Sequence, residues 1–520
     1  MSSFSISPKT TLGASCAPMF PARISQTAPL LAALMIVLTA VGGCAVGPQF
    51  ELPAIPKGAS YVERQFPDAT VSSPVLGGQA QRFNYGVDVA ADWWKLFQSP
   101  VITQLVDRAL ANNPTIPAAE AALRSARETV AAQRAAFLPS LSLALSPTRQ
   151  KVATALAPPL TSGASVYSLH TAQLNIAYAV DVFGGNRRQV ESLSAQADYQ
   201  RFQLEAARIT LTANVVSAVV QMALLRDQID ATESSIRLAS EQLAILRKQL
   251  KLGAIAAVGV ITQEALEAQT RALLPPLKKQ LAQQQDLLAV LTGSAPNELA
   301  EVAVSLVDLN LPQDLPVSLP SKLVEQRPDV RAAAEQVQAA SAQVGVAIVN
   351  MLPQLTLSGG LGGAATNVGD VLRSGAGFWS IAAGLVQPIF DGDALLHKKR
   401  SAEANHEQAL AQYRGVVLSA LQNVADVLHA LRYDAEVLET TDATARATLA
   451  ALKIARRQVE LGDLSHLNLL TFEQAYQQNR LNLIQAQASR FSDTAALFQA
   501  LGGGWWDRDP DRAVSASLPK

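Results

Sequence analysis

The side chains that could do chemistry in this chain are few and poorly gathered. Five histidines (His170, His397, His406, His429, His466) are scattered over 520 residues. His406-Glu407 could begin a two-histidine zinc helix, but Leu410 stands where the second histidine is needed. Asp391-Gly392-Asp393 looks like part of a cation loop without the twelve-residue run of oxygen ligands. Gly359-Gly360 and Gly362-Gly363 are followed by small residues in a strand pattern, not by a helix, so they make no dinucleotide fingerprint. No serine, histidine and aspartate stand in a nucleophile setting. The sequence therefore predicts no enzyme, no metal and no cofactor.

One side chain does sit in a reactive setting. Cys44 follows Val41-Gly42-Gly43, and an apolar run from Pro29 to Thr39 precedes it, with Arg23 upstream. That run is short for a membrane span and suited to a signal segment. Small residues directly before a cysteine form the bacterial lipobox pattern, where cleavage frees the cysteine for acyl attachment. The alternative is an ordinary signal peptide with a coincidental cysteine. Cys16, the other of the two cysteines, lies in the removed stretch, so Cys44 has no disulfide partner. Acyl chains contribute about 0.8 kcal/mol per buried methylene, so several would anchor the chain firmly. Ala45 in the next position is the residue that outer-membrane sorting leads one to expect.

The elements that follow must do the remaining work by shape. Aromatics make up 5% of the chain, which favours long helices with thin seams over compact cores. The formal charge is −1, and Lys9 and Arg23 leave with residues 1–43 while no acid does. A slightly acidic chain without a basic stripe excludes nucleic acid as a partner.

The second half repeats the first in order. Phe137-Leu138-Pro139-Ser140-Leu141 returns as Met351-Leu352-Pro353-Gln354-Leu355, Val182-Phe183-Gly184-Gly185 as Ile389-Phe390-Asp391-Gly392, and Leu252-Gly253 as Leu461-Gly462. A unit of roughly 200 residues is too long for a solenoid period and indicates two similar halves side by side. Each half reads as a medium helix, two strands, a very long helix, a turn and another medium helix. The long helices carry heptads: Val215, Met222, Ile229, Ile236, Leu243 and Leu250, then Leu410, Val417, Val424, Leu431, Leu438, Ala445, Leu452 and Val459. A helix from about Asn186 to Lys251 is ~100 Å long at 1.5 Å per residue. The medium helices are expected over about Val101–Phe137 and Ile261–Thr292, the second broken at Pro275-Pro276.

Four strands alternate with period two. Leu141, Leu143 and Leu145 oppose Ser140, Ser142 and Ser146; Leu174, Ile176 and Tyr178 oppose Gln173 and Asn175. Leu355, Leu357 and Leu361 oppose Thr356 and Ser358; Trp379, Ile381 and Leu385 oppose Ser380 and Gly384. Strands of about ten residues with one apolar face suit a tilted membrane crossing, and a soluble sandwich with one wet face is the alternative. Four strands cannot close a barrel, and open edges are not tolerated in lipid, so the chain must oligomerise. Three copies give twelve strands and twelve helical rods.

Several pieces carry a resemblance: Cys44-Ala45-Val46-Gly47-Pro48, Trp93-Trp94 with Leu96-Phe97, Arg327-Pro328-Asp329-Val330-Arg331, Leu352-Pro353-Gln354-Leu355-Thr356, Pro388-Ile389-Phe390-Asp391-Gly392 and Ala500-Leu501-Gly502-Gly503-Gly504-Trp505. In this order they resemble the TolC-like outer-membrane factor family, in the lipoprotein branch (NodT/OprM-like) of resistance-nodulation-division efflux systems. The resemblance covers Cys44 to Trp505. It implies a mainly α fold with membrane β: a long coiled-coil α-helical barrel in the periplasm, with four strands per chain in a trimeric 12-stranded transmembrane β-barrel. The expected organisation is a lipoprotein signal peptide (1–43), an extended N-terminal segment (44–92), efflux repeat one (93–293), a linker (294–320), efflux repeat two (321–505) and a flexible tail (506–520). The implied partners are two further copies in a homotrimer, a periplasmic adaptor (membrane fusion) protein, an inner-membrane resistance-nodulation-division transporter and outer-membrane lipid.

The resemblance also implies that Leu252-Gly253 and Leu461-Gly462 are the tips of helical hairpins, forming a periplasmic gate where the adaptor docks. Leu461, Leu464 and Leu467, with Leu252, Ile255 and Val258, are the expected apolar docking surfaces. Many members carry aspartates just after the second turn, and Asn468 and Thr471 occupy those positions here. Asp463 is the nearest remaining carboxylate, read either as gate lining or as a solvated turn residue. The expected function is a passive outer-membrane duct for small molecules. Polypeptide secretion and a purely structural coiled-coil lipoprotein are the competing readings, and the four amphipathic strands argue against the last.

Overall fold

The computed structural model describes residues 46–51, 61, 67–151, 153 and 165–508. Cys44, the expected signal segment 1–43 and residues 509–520 lie outside the described residues. Helices α1 (Pro100–Asn112) and α2 (Thr115–Arg134) lead to strands β2 (Ser140–Lys151) and β3 (Val166–Val180), then to α3 (Gly185–Lys251), α4 (Ala257–Ala272) and α5 (Leu274–Leu291). After the short α6 (Pro320–Gln326), the second half repeats the order with α7 (Pro328–Val349), β5 (Gln354–Ala365), β6 (Gly377–Val386), α8 (Ala394–Leu461) and α9 (His466–Ala500).

The two long helices, of 67 and 68 residues, are each ~100 Å rods. Their heptad residues form the buried seams: Val215, Met222 and Leu243 on α3, and Val424, Leu431, Leu438 and Leu452 on α8 are nearly or fully buried. The shorter helices pack in pairs along them. Helix α7 lies between α3 and α8 in the half nearer the sheet, and α9 lies between the same two rods in the other half. On the far flank of α3, α2 packs in the sheet half and α4 with α5 in the opposite half. One protomer is thus a wall of four rods.

The expected single helix Val101–Phe137 is divided. Pro114 cannot donate, and Asn113 turns to an extended conformation between α1 and α2. The Asn113 carboxamide oxygen accepts from the Thr115 N–H (2.9 Å) and hydroxyl (2.7 Å), while its nitrogen donates to the Leu291 carbonyl (2.9 Å). The break therefore ties the α1–α2 corner to the end of α5. Residues Ala135–Phe137 form a 3-10 turn. The break expected at Pro275-Pro276 falls at Leu273, where α5 restarts with proline in its first turn.

The four long strands form one antiparallel sheet in the order β2-β3-β5-β6. Directly opposed residues share a face, so the register can be read across all four strands. Leu143, Leu174, Leu361 and Trp379 form one row, and Leu141, Ile176, Gly359 and Ile381 another. On the other face Ser142, Asn175, Gly360 and Ser380 align, as do Ala144, Gln173, Gly362 and Phe378. The apolar face is uncovered: Leu143 is 69% exposed, Trp379 73% and Ile381 82%.

Two segments that lack periodicity in the sequence meet in a short parallel pair, β1 (Arg82–Tyr85) with β4 (Asp314–Val317). The N-terminal segment is therefore more than an extended strap, and the linker more than a connection. This pair belongs to a central belt built on Trp93, which stacks on Phe498 at 5.2 Å and meets Phe97 edge-on. Residues 506–508, expected in the tail, are held in place. Trp505–Asp507 form a 3-10 turn, the Trp505 indole donates to the Gln326 carbonyl (2.6 Å), and Arg508 pairs with Glu205 (2.7 Å).

Candidate functional site

The first described residues sit at the foot of the sheet. Val46 N–H donates to the Phe183 carbonyl (3.2 Å), where β3 gives way to α3. Arg188, in the first turn of α3, donates from Nε to the Val46 carbonyl (3.2 Å) and from a terminal nitrogen to the Gly47 carbonyl (3.3 Å). Gly47 has φ +117°, and a Cβ there would lie 2.6 Å from the Gly345 Cα on α7. Only glycine fits so close an approach.

At the opposite end of the rods are the two hairpin turns. Gly253 (φ +73°) and Gly462 (φ +84°) adopt the left-handed conformation in open space, so backbone strain alone favours glycine at both. The capping bonds are the same in each: Ala254 N–H donates to the Gln249 carbonyl (2.9 Å), and Asp463 N–H to the Gln458 carbonyl (2.8 Å). Both are the long bond of a Schellman cap. Leu252 and Leu461 point outward beside their glycines, 83% and 61% exposed.

The expected apolar docking surface divides in two. Leu252, Val258, Leu461 and Leu467 are exposed, whereas Ile255 and Leu464 are half-buried. Ile255 packs on Leu243, Leu246 and Val260, and Leu464 on Leu452, Ala455 and Leu469, so each closes the seam of its own hairpin. The tips meet where His466, Leu467 and Leu470 face Val258, Gly259, Thr262 and Gln263 across a cavity of about 50 Å³.

Asn468 and Thr471 are exposed on the first two turns of α9. The Asn468 N–H donates to the Ser465 hydroxyl (3.2 Å), which caps the helix, and the Thr471 hydroxyl donates to the Asn468 carbonyl (2.7 Å). Asp463 is exposed in the turn itself, and its backbone N–H closes the cap. Beyond the Arg457–Glu460 pair (2.8 Å), two matched ion pairs lie further along the hairpins. Arg247 pairs with Glu264 (2.7 Å) and Arg456 with Glu473 (3.2 Å), the same ion pair in both repeats. Glu473 also accepts from the Gln242 carboxamide on α3 (2.5 Å). The sequence held this signal, because both members of the pair recur 209 positions apart, yet glycine and aspartate spacing alone does not disclose it.

In the belt, Arg490 is fully buried on α9. It donates to the Gln81 carboxamide oxygen (2.7 Å), and Gln81 in turn donates to Thr494 (2.8 Å) and to the Pro312 carbonyl (2.9 Å). Burial lowers the guanidinium to about 10, opposed by the nearby Asp493 and Asp434 carboxylates. Burial, then a hydrogen bond to Asp434 and its charge, push the Asp493 carboxyl well up.

The sequence profile described as outer membrane efflux protein matches residues 105–294 and 319–503. Outer membrane protein OprJ of Pseudomonas aeruginosa is 30% identical over 485 residues, covering 91% of this chain and 96% of that protein. The pyoverdine export outer membrane protein OpmQ of Pseudomonas putida is 29% identical over 428 residues, covering 81% and 89%. Among solved structures, the outer-membrane channel OprN is similar at a TM-score of 0.79 and 26% identity, covering 89% of this chain and all of that one. The outer membrane protein VceC of Vibrio cholerae is similar at a TM-score of 0.74 and 27% identity, covering 80% and 100%. This chain belongs to the outer membrane efflux protein family.

Proposed function

We propose that this outer membrane efflux protein is the outer-membrane duct of a tripartite pump, exporting small molecules from the periplasm or the inner-membrane transporter to the exterior. The observation that carries it is the sheet whose apolar face is continuous across four strands, standing at one end of ~100 Å rods. An uncovered apolar face with a polar reverse side suits lipid outside and a watery lumen inside. The unpaired edges at β2 and β6 require further strands, and three copies supply a closed barrel of twelve. The rod wall closes in the same step into a helical tunnel reaching into the periplasm. Relatives named for pyoverdine export and for toluene efflux support small molecules as the cargo class. Detergent-solubilised protein is expected to scatter light as a trimer, and loss of the gene to raise dye accumulation in the native host. A well-folded monomer, or unchanged accumulation, contradicts this reading.

Cys44 is the acylated first residue of the mature chain in the same proposal. What supports the anchor is that Val46, two residues further along the sequence, is hydrogen-bonded at the foot of the sheet. Intact-mass measurement should show loss of residues 1–43 plus acyl mass, and Cys44→Ser should abolish both. A mature mass without lipid contradicts the anchor. The turns at Leu252-Gly253 and Leu461-Gly462, with Asp463, Asn468 and Thr471 beside them, form the narrow end. There a periplasmic adaptor engages the exposed leucines and the resistance-nodulation-division transporter delivers its cargo.

A further inference from the structure

We propose that the rod wall carries a binding site for drug-sized organic anions on its luminal side, directly beneath the barrel. The proposal rests on the duct reading and adds a subsite to it. Just below the sheet, α3, α7 and α8 part around a cavity of about 430 Å³. Further down, Tyr413 and Val417 of α8 are buried with Val330 and Val337 of α7 in one core. Nearer the sheet, the same stripe of α8 carries Lys398, Ala402 and Asn405, and α7 answers with Ala340, Gln343 and Ala347. Alanines are too small to close the gap between rods held apart by the larger residues below. The Gln343 carboxamide nitrogen donates to the Ser192 hydroxyl (2.9 Å) and to Gln189 (3.2 Å), which ties this wall of the cavity to α3.

The chain near Gly47 shows which way the cavity opens. Gly47 approaches α7 at Gly345, where a Cβ on Gly47 would lie 2.6 Å from the Gly345 Cα. Gln343 and Ala347 each stand two residues from Gly345, about 200° around the helix, so the cavity is on the opposite face of α7. In the proposed duct this segment continues from the acylated Cys44 and runs over the outside of the wall. The cavity therefore faces the lumen, in three copies per trimer. Its lining chooses the ligand. Lys398 is exposed, and no carboxylate stands among the lining residues. Its neighbour Lys399 is paired with Glu403 (2.9 Å), but Lys398 meets no acid among the described residues. Gln196, Asn350 and Asn405 add amide donors around it. A cation and amides over an alanine floor suit a flat apolar body carrying one carboxylate or sulfonate, and the volume is that of a drug-sized site. An organic cation finds no counter-charge there.

Saturation-transfer NMR with 2-naphthoate tests this on the full-length protein in lipid nanodiscs, with empty nanodiscs as background. Naphthoate should receive saturation and titrate to a finite Kd. The neutral 2-naphthylmethanol, of the same shape, should bind about fivefold more weakly, the worth of one partly exposed charge pair. Lys398→Gln should weaken naphthoate to the level of the neutral analogue. Ala402→Trp, which fills the cavity, should remove the signal while light scattering still gives a trimer. Naphthoate binding that is unchanged in either variant, or matched by 2-naphthylmethylammonium in the unaltered protein, overturns the site. Saturation no greater than in empty nanodiscs, from protein that scatters as a trimer, overturns it alone. If scattering gives a monomer, the proposed duct falls, and the luminal placement with it.

Discussion

At the sheet end, neighbouring strands exchange backbone hydrogen bonds along ten or more residues, whereas each hairpin tip is held by three buried side chains and a cap. Leu243, Leu246 and Val260 fill the first hairpin's seam, and Leu452, Ala455 and Leu469 the second's. Each large apolar side chain contributes about 1.5–3 kcal/mol when fully buried. The sheet end presents unpaired backbone at β2 and β6, which lipid penalises heavily, so its energetics drive closure. The tips leave no such debt when they part, since their helices keep their own hydrogen bonds. In the proposed duct, one chain therefore builds an end that has to close and an end that can open, using backbone for the first and sparse side-chain contacts for the second.

The largest expected effect breaks the sheet end. Ile176→Arg places a charge in the apolar row it shares with Leu141 and Ile381, at roughly 2–4 kcal/mol for a mid-membrane arginine in each copy. Trimer recovered from the outer membrane should vanish, as read by extraction and light scattering; normal yields would place that face away from lipid. Gly462→Val is smaller and local. Its Cβ meets nothing, so the cost is the left-handed backbone alone, about 1–2 kcal/mol. Adaptor binding should weaken while the trimer persists, and unchanged binding would move the docking site elsewhere.

The belt between the two ends should respond to pH. The Asp493 carboxyl is raised in the folded state by burial and by Asp434. The folded chain thus holds that proton more tightly than the unfolded one. The stability it lends is present below the ordinary carboxylate range and is lost as pH rises through the folded value. Amide exchange in α9 around Arg490 and Thr494, corrected for intrinsic rate, should quicken from mildly acidic to mildly alkaline conditions, and Asp493→Asn should flatten that dependence. A flat profile in the unaltered chain removes the belt from the pH response. Asp463→Ala is the smallest change: one exposed carboxylate per chain, expected to shift single-channel cation preference by less than about twofold, since solvent screens it. No shift assigns Asp463 to the solvated turn.

Long-range repetition made much of this fold legible. Heptads such as Val417, Val424 and Leu431 announce their seam because a helix repeats its environment every two turns. Strand alternation gave the apolar rows for a similar reason, and the two capping glycines stand at matched places after matched helices. What escaped was local or relational. Four-residue strands such as β1 and β4 are too short to display a period, and their partners are more than two hundred residues apart. Asn113-Pro114 carried a break signal that the surrounding helical pattern outweighed. Ile255 and Leu464 looked like free apolar surface because sequence does not say which side of a turn a leucine faces. Glu473 gained its meaning only from Gln242, a residue whose counterpart is alanine.

Arg188 gives the rod a mechanical role. It stands in the first turn of α3 and grips the chain two residues beyond Cys44, while the last turn of the same helix ends at the Leu252-Gly253 tip. Sixty-seven residues of uninterrupted helix therefore join the mooring to the far end, without a loop between them. Tension applied at the tip by a docked partner travels along hydrogen bonds aligned with the pull and arrives at the membrane foot of the molecule. In the proposed assembly the lipid tether and the barrel share that load at one point, so a tug from the cell interior is resisted by the membrane rather than absorbed as bending of the shaft.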